Sequence, residues 1–289
     1  MRPPRDRRPP VALEFRATAA GRRTVYVVHP GALAAQVHHG LADALPEGDG
    51  LTVLDLGALD EYARAALNGG RADTTVEALA GRLLAAMEPV RVPYTLAGWS
   101  FGGVLALAMA QAMPAERRPE RLVLLDSIAP AEEYKQPDEA LEPDLLLGWF
   151  AMYLGAKRGR PIGLAPEALT GRGTDDGLPV VLDAAVAAGA LLPDTPLPGL
   201  RKLYDTYVDG LLRNNRLTAP YRPAPAPLPL VLVQADGSLV PDDPTLGWTP
   251  LAPQGGQRGG GGGSEGSRSS VLSSKCLTPG VSWRSPSPI

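Results

Sequence analysis

Residues 98–103 read Gly98-Trp99-Ser100-Phe101-Gly102-Gly103, and their setting constrains the fold more than any other stretch of the chain. The run Tyr94-Thr95-Leu96-Ala97 before them suits a strand, and the apolar stretch Val104 to Ala110 after them suits a buried helix. G-x-S-x-G between a strand and a helix is the context of a nucleophile elbow. Such a turn is tight and strained, and glycines flank the serine because a side chain there would strike the neighbouring strand and helix. The turn lifts the serine Oγ beside backbone N–H groups at the helix N-terminus, where developing negative charge is stabilised. Ser100 is therefore the candidate nucleophile. The plainer reading is a glycine-rich turn whose serine only caps the helix.

The segments around this turn alternate in type. Val11 to Arg16 suits a short edge strand, and Thr24 to Val28 a buried strand that stops at the turn signal His29-Pro30-Gly31. Ala32 to Leu45 reads as a helix and Leu51 to Leu56 as the next strand. Thr74 to Met87 reads as a helix, with Thr74 as its cap, Glu77 three residues on, and Val76, Leu79, Leu83 and Leu84 as its apolar stripe. After the Tyr94–Trp99 strand, the helix behind the elbow runs to about Met113, and Arg121 to Leu125 forms a strand ending at Asp126. This rhythm predicts a mostly parallel sheet with helices on both faces. Residues 131–220 break it: they hold no convincing strand, and 144–154, 178–191 and 200–213 are helical, as expected of a lid inserted between two strands. A Pro-rich connector, Tyr221 to Pro229, leads to the strand Leu230 to Ala235, which ends at Asp236.

Composition sets outer limits. A chain of 289 residues, 44% hydrophobic and 5% aromatic, can bury a large core made mainly of Ala, Leu and Val. A net charge of −3 makes no electrostatic case for nucleic acid or an anionic membrane as partner. The single cysteine, Cys276, excludes an internal disulfide framework. Residues 1–13 form a basic, Pro-rich arm with no apolar stretch behind it, unlike a signal peptide, and no run of about 18 apolar residues suggests a membrane span. The expectation is a soluble cytoplasmic protein with one main domain, residues 14–248.

Residues 249–289 are different material. They hold nine serines where residues 1–248 hold three, and they include five consecutive glycines, Gly259 to Gly263. The expectation is a disordered tail, because such a segment buries too little surface to offset its ordering entropy. It reads as a shifted reading frame or an artificial linker, or more simply as an ordinary flexible tail.

The remaining chemistry follows from position. The loop His29-Pro30-Gly31-Ala32 closes the first core strand, where this architecture supplies one oxyanion-hole donor: the N–H of Ala32 or Gly31, with that of Phe101 as the other. The bland alternative is a simple strand-to-helix turn. Asp126 and Asp236 each end a strand and compete to be the carboxylate that orients an imidazole, and either could be a merely solvated aspartate. The histidines number three: His29, His38 and His39. His38 and His39 read as surface or lid-contact residues, and His29 lies on the oxyanion side, out of reach of the Ser100 proton. No histidine lies in the C-terminal half, where a Ser-His-acid enzyme of this kind needs its base; the catalytic His is absent. No metal is called for.

Val27-Val28-His29-Pro30-Gly31, Ala97-Gly98-Trp99-Ser100-Phe101-Gly102-Gly103 and Leu122-Val123-Leu124-Leu125-Asp126-Ser127 together resemble the thioesterase domains of nonribosomal peptide and polyketide synthases, a subgroup of the α/β-hydrolases. Leu203-Tyr204-Asp205, Arg222-Pro223, the strand Leu230 to Ala235 and Pro244-Thr245-Leu246-Gly247-Trp248 fit as well, so the likeness runs from about residue 14 to 248. The elbow is more similar to the chain-terminating domains than to the proofreading ones, which resemble G-H-S-M-G. The resemblance implies an α/β-hydrolase fold and release of an acyl or peptidyl chain from a carrier-protein phosphopantetheine thioester, by hydrolysis or cyclisation through an acyl-serine. It implies Asp126 rather than Asp236 as the acid. It implies no cofactor beyond the phosphopantetheine that the carrier protein brings. The family's histidine belongs to a G-D-H-like loop a few tens of residues after the strand at Leu230, and here that stretch turns Gly/Ser-rich from about Trp248 to Pro253. A general carboxylesterase and a catalytically inactive acyl-binding remnant are the rival readings.

Overall fold

Val25-Tyr26-Val27-Val28 is a β-branched and aromatic run without a charged residue, and it builds a strand buried on both faces, β2 (Thr24–His29). Similar runs give β3 (Gly50–Asp55), β4 (Tyr94–Trp99), β5 (Leu122–Leu125) and β6 (Leu230–Ala235). With β1 (Ala12–Arg16) and β7 (Val271–Cys276) they form one sheet in the order β1-β3-β2-β4-β5-β6-β7. Only β1 is antiparallel to its neighbour, pairing Leu13 with Val53; the other pairs are parallel. The computed structural model describes residues 10–31, 34–67, 74–87, 89–90, 93–235, 243–252 and 271–276.

Side chains two apart share a face of the sheet. Val27, Val53 and Ala97 pack with Ala35 and Ala42 of the segment between β2 and β3. On the opposite face, Val28 and Leu124 meet the helix behind the elbow, α4 (Phe101–Ala112). Every residue of α4 from Phe101 to Ala110 is buried, so its sequence is apolar all round rather than striped.

Several local expectations are corrected. The helix expected over 32–45 is a 3₁₀ turn, Ala35–His38, followed by the short α1 (His39–Ala44). Gly40 disfavours a long helix there, and burying Ala35 with His38 suits the three-residue period of a 3₁₀ turn. A helix absent from the sequence reading, α2 (Asp60–Leu67), follows β3. The next helix, α3 (Val76–Ala86), is capped by Thr75 rather than Thr74: its hydroxyl accepts from the Ala78 N–H at 3.2 Å. The tail is not structureless throughout. Val271–Cys276 pairs in parallel with all of β6, from Leu230↔Val271 to Ala235↔Cys276. The outer edge of β6 offers unmet N–H and C=O groups, and a short run opening on Val271-Leu272 can pair with them whatever its flanking composition.

By packing, the chain divides into two compact units, one of residues 1–64, 72–134 and 220–289, the other of 65–71 and 135–219. The first contains the sheet. The second is helical, with α5 (Pro143–Arg158), α6 (Thr174–Ala187) and α7 (Leu197–Thr218) around Leu147, Phe150, Leu154, Val181 and Tyr204. Helix α5 begins on Pro143 and ends at Gly159 in the left-handed region, φ +61°, as helix-end preferences require. No helix among the described residues is long and apolar enough to cross a membrane.

Candidate active site

The parallel strands β2, β4, β5 and β6 end along one edge of the sheet, and the candidate residues gather there. Trp99 pairs with Leu125 and Leu125 with Val233, so the residues that follow, Ser100 and Asp126, stand side by side. Ser100 occupies φ +52°, ψ −126°, a strained conformation for a residue with a side chain. Its N–H donates to the Leu125 carbonyl at 2.9 Å, and its carbonyl accepts from the Gly103 N–H at 2.9 Å. It stands at the N-cap of α4, yet its side chain makes no capping hydrogen bond.

The three glycines of the elbow answer to three different neighbours. A Cβ on Gly98 would overlap the backbone of Gly102 and Gly103, one on Gly102 would overlap the Val28 carbonyl, and one on Gly103 would overlap the Ser127 side chain. The turn therefore wedges between its own helix, β2 and the loop after β5. Phe101 opens α4, so its N–H lies among those with no partner inside the helix.

On the other flank, Gly31 adopts φ +74°, and a Cβ there would lie 2.8 Å from the Gly57 nitrogen. Ala32 lies outside the described residues, as does Asp236. Tyr62, which the sequence reading did not single out, joins this flank to the elbow. Its hydroxyl donates to the Pro30 carbonyl at 3.3 Å and its ring stacks on Phe101 with centroids 6.5 Å apart.

Asp126 is half-buried, with φ +44°. Its N–H donates to Val233 at 2.7 Å, and its Oδ1 accepts from the Ala235 N–H at 3.3 Å. The carboxylate is thus held against the end of β6. Beyond β6, Asp243 organises the turn that follows. Its carboxylate accepts from the Thr245 N–H (2.7 Å), the Thr245 hydroxyl (2.8 Å), the Gly247 N–H (2.7 Å) and the Tyr134 hydroxyl. Burial alone would raise the Asp243 pKa, but these four donors outweigh it and hold the carboxyl below its ordinary value. The turn seats Trp248, fully buried, whose Nε1 donates to the Ser127 carbonyl at 2.6 Å.

The histidines depart from expectation. His39 is exposed, resting on Phe15, but His38 is buried: its Nε2 meets His29 Nδ1 at 3.1 Å. Both rings lean on Trp99, the residue before the nucleophile. An imidazole pair can satisfy itself inside the protein, since one nitrogen donates and the other accepts. Spacing along the chain carried no sign of this, because His38 lies on an irregular turn rather than a regular helix. Burial, and then the neighbouring His29, lower the His38 pKa to about 4. Among the described residues no group of His, Cys, Asp and Glu could hold a metal ion.

Comparison with known proteins adds lineage to this geometry. Among curated proteins, none matches the chain. Of solved structures, a four-domain nonribosomal peptide synthetase, holo-AB3403 bound to AMP and glycine, aligns with 95% of this chain at 23% identity and a TM-score of 0.58; the chain spans 19% of that protein. RedJ, the thioesterase of the prodiginine biosynthetic pathway in Streptomyces coelicolor, aligns with 90% of this chain and 82% of its own at 19% identity, TM-score 0.52. The NocB thioesterase domain of the nocardicin cluster aligns at 23% identity over 91% of this chain and 86% of its own, TM-score 0.47. At such identities the likeness is one of fold, and the fold is that of the α/β-hydrolases. A family model described as the thioesterase domain matches residues 23–213, about two thirds of the sequence, and the chain belongs to that family of hydrolases.

Proposed function

We propose that the chain acts on acyl thioesters through Ser100. The observation that carries this reading is the elbow itself: a serine held at positive φ, at a helix N-terminus, with a hydroxyl not spent on capping that helix. Oγ attacks the thioester carbonyl, the carbon–sulfur bond breaks, and the thiol leaves with a proton as the acyl-serine forms. Water then releases the acid and restores the serine, or an amine or hydroxyl within the chain takes the acyl group and closes a ring. The N–H groups of Phe101 and of Gly31 or Ala32 receive the oxyanion, where each such donor is worth about 10²–10³ in rate. Asp126 is the acid that would orient an imidazole. The substrate is an acyl or peptidyl chain on the phosphopantetheine of a carrier protein; that group belongs to the partner, so the chain needs no cofactor of its own. This setting is cytoplasmic.

The absence of any histidine beyond His39 bears directly on rate. A triad lacking one member retains only about 10³–10⁴ over water, from oxyanion hole and binding. Mass spectrometry after incubation with an acyl-pantetheine thioester tests the reading. We expect slow acylation of the Ser100 peptide, abolished in Ser100→Ala, with release far below that of a complete triad. Acylation that survives Ser100→Ala overturns the assignment. A preference for free esters over carrier-bound thioesters would mark a carboxylesterase, and binding without acylation an inactive acyl-binding remnant.

A further inference from the structure

Tyr62 links the turn after β2 to the elbow. It lies in α2, is 2% exposed, and its side chain reaches both the Pro30–Gly31 turn and Phe101. Its hydroxyl holds the Pro30 carbonyl oxygen at 3.3 Å. Its Cε1 lies 3.4 Å from the place a Gly31 Cβ would occupy. Its ring lies nearly parallel to that of Phe101, at 18°.

The Pro30 carbonyl and the Gly31 N–H belong to one peptide unit. That unit is planar, and in the trans form its C=O and N–H point in opposite directions. Fixing the oxygen therefore fixes the direction of the N–H. A hydrogen bond accepted by that oxygen also polarises the amide and strengthens its N–H as a donor. The same ring lies stacked beside Phe101, the residue whose own N–H opens α4.

We propose that Tyr62 is a positioning residue for the reaction at Ser100: it aims the Gly31 N–H and sets its spacing from the Phe101 N–H. This rests on Ser100 being the nucleophile. Neither the H-P-G turn nor the elbow motif marks Tyr62, because it reaches the site from a separate helix.

Tyr62→Phe removes the hydroxyl alone and keeps the stack. The probe is an alkyl fluorophosphonate, whose phosphonyl oxygen takes the oxyanion position as Oγ displaces fluoride. At about pH 9 solvent hydroxide accepts the serine proton, so reaction does not depend on an imidazole. We expect the maximal labelling rate at Ser100 to fall about tenfold or more in Tyr62→Phe, with the probe's half-saturating concentration and the melting temperature nearly unchanged. The phosphorus resonance of the adduct, which reports donors at the phosphonyl oxygen, should shift. An unchanged labelling rate overturns the inference and leaves the serine reading standing. So does a fall in rate matched by equal losses in probe affinity and melting temperature, which would make Tyr62 simple packing. If the parent chain carries no adduct at Ser100, the serine reading fails and takes this inference with it.

Discussion

His38 shows how one buried ring can tie stability to pH. It is hydrogen-bonded to His29, its pKa is lowered to about 4 by burial and then by His29, and the unfolded chain returns it to 6.5. Between those values the unfolded state binds more protons than the folded one, so stability rises with pH. The contribution is complete above about 6.5 and is lost as pH falls toward about 4. One such group changes stability by at most about 1.4 kcal/mol per pH unit. His38→Phe, which keeps a ring against Trp99, should flatten the stability profile across that window. Denaturant titrations at a series of pH values would show it; a slope identical to that of the parent would mean the charge of His38 is met elsewhere. Sequence alone suggests a surface or lid-contact role for His38, because nothing in the local spacing shows that a 3₁₀ turn rotates the ring inward onto a partner nine residues back.

Among the elements, those driven by burial were legible and those driven by local exchange of hydrogen bonds were not. The core strands and α4 are runs of apolar residues whose period and length leave few alternatives, and the turn at Gly98 to Gly103 announces itself through its glycines. The choice of Thr75 over Thr74 as cap depends on which hydroxyl meets the Ala78 N–H, a difference of one residue between identical side chains. The turn from Asp243 to Trp248 is harder still, because the donors to Asp243 come partly from Tyr134, more than a hundred residues earlier. The carboxylate there accepts on both oxygens, two donors on each. Asparagine cannot copy this: whichever way its amide turns, an NH₂ faces donors. Asp243→Asn should cost about 1–3 kcal/mol, the range for leaving buried polar groups unmatched. It should also remove an acid-sensitive share of stability, present above the ordinary Asp value of 3.8 and lost as pH falls through the lower folded value. Urea unfolding of both proteins at neutral and acid pH measures each part, and equal midpoints would refute the argument.

At the scale of the whole molecule, fold class was readable because a hydrolase of this type must alternate strands and helices, and that alternation is written in the hydrophobic pattern. The strand β7 was not readable, since its partner is an edge presented by a segment some forty residues away in sequence rather than a signal within its own composition. Tyr62 was hidden for a related reason: its contacts depend on where α2 is laid down. The positive φ of Ser100 has a consequence for evolution as well as chemistry. A side chain in that conformation burdens the fold by about 1–3 kcal/mol. Glycine would relieve it at a backbone-entropy cost of about 0.5–1 kcal/mol. Ser100→Gly should therefore raise the melting temperature, by roughly 1 kcal/mol of stability, while Ser100→Ala, which keeps its Cβ, should not; calorimetry on the two variants decides it. A lineage that merely sequestered acyl groups would drift toward the relaxed, more durable glycine. Serine in that turn thus exchanges part of the fold's durability for a hydroxyl at the helix N-terminus.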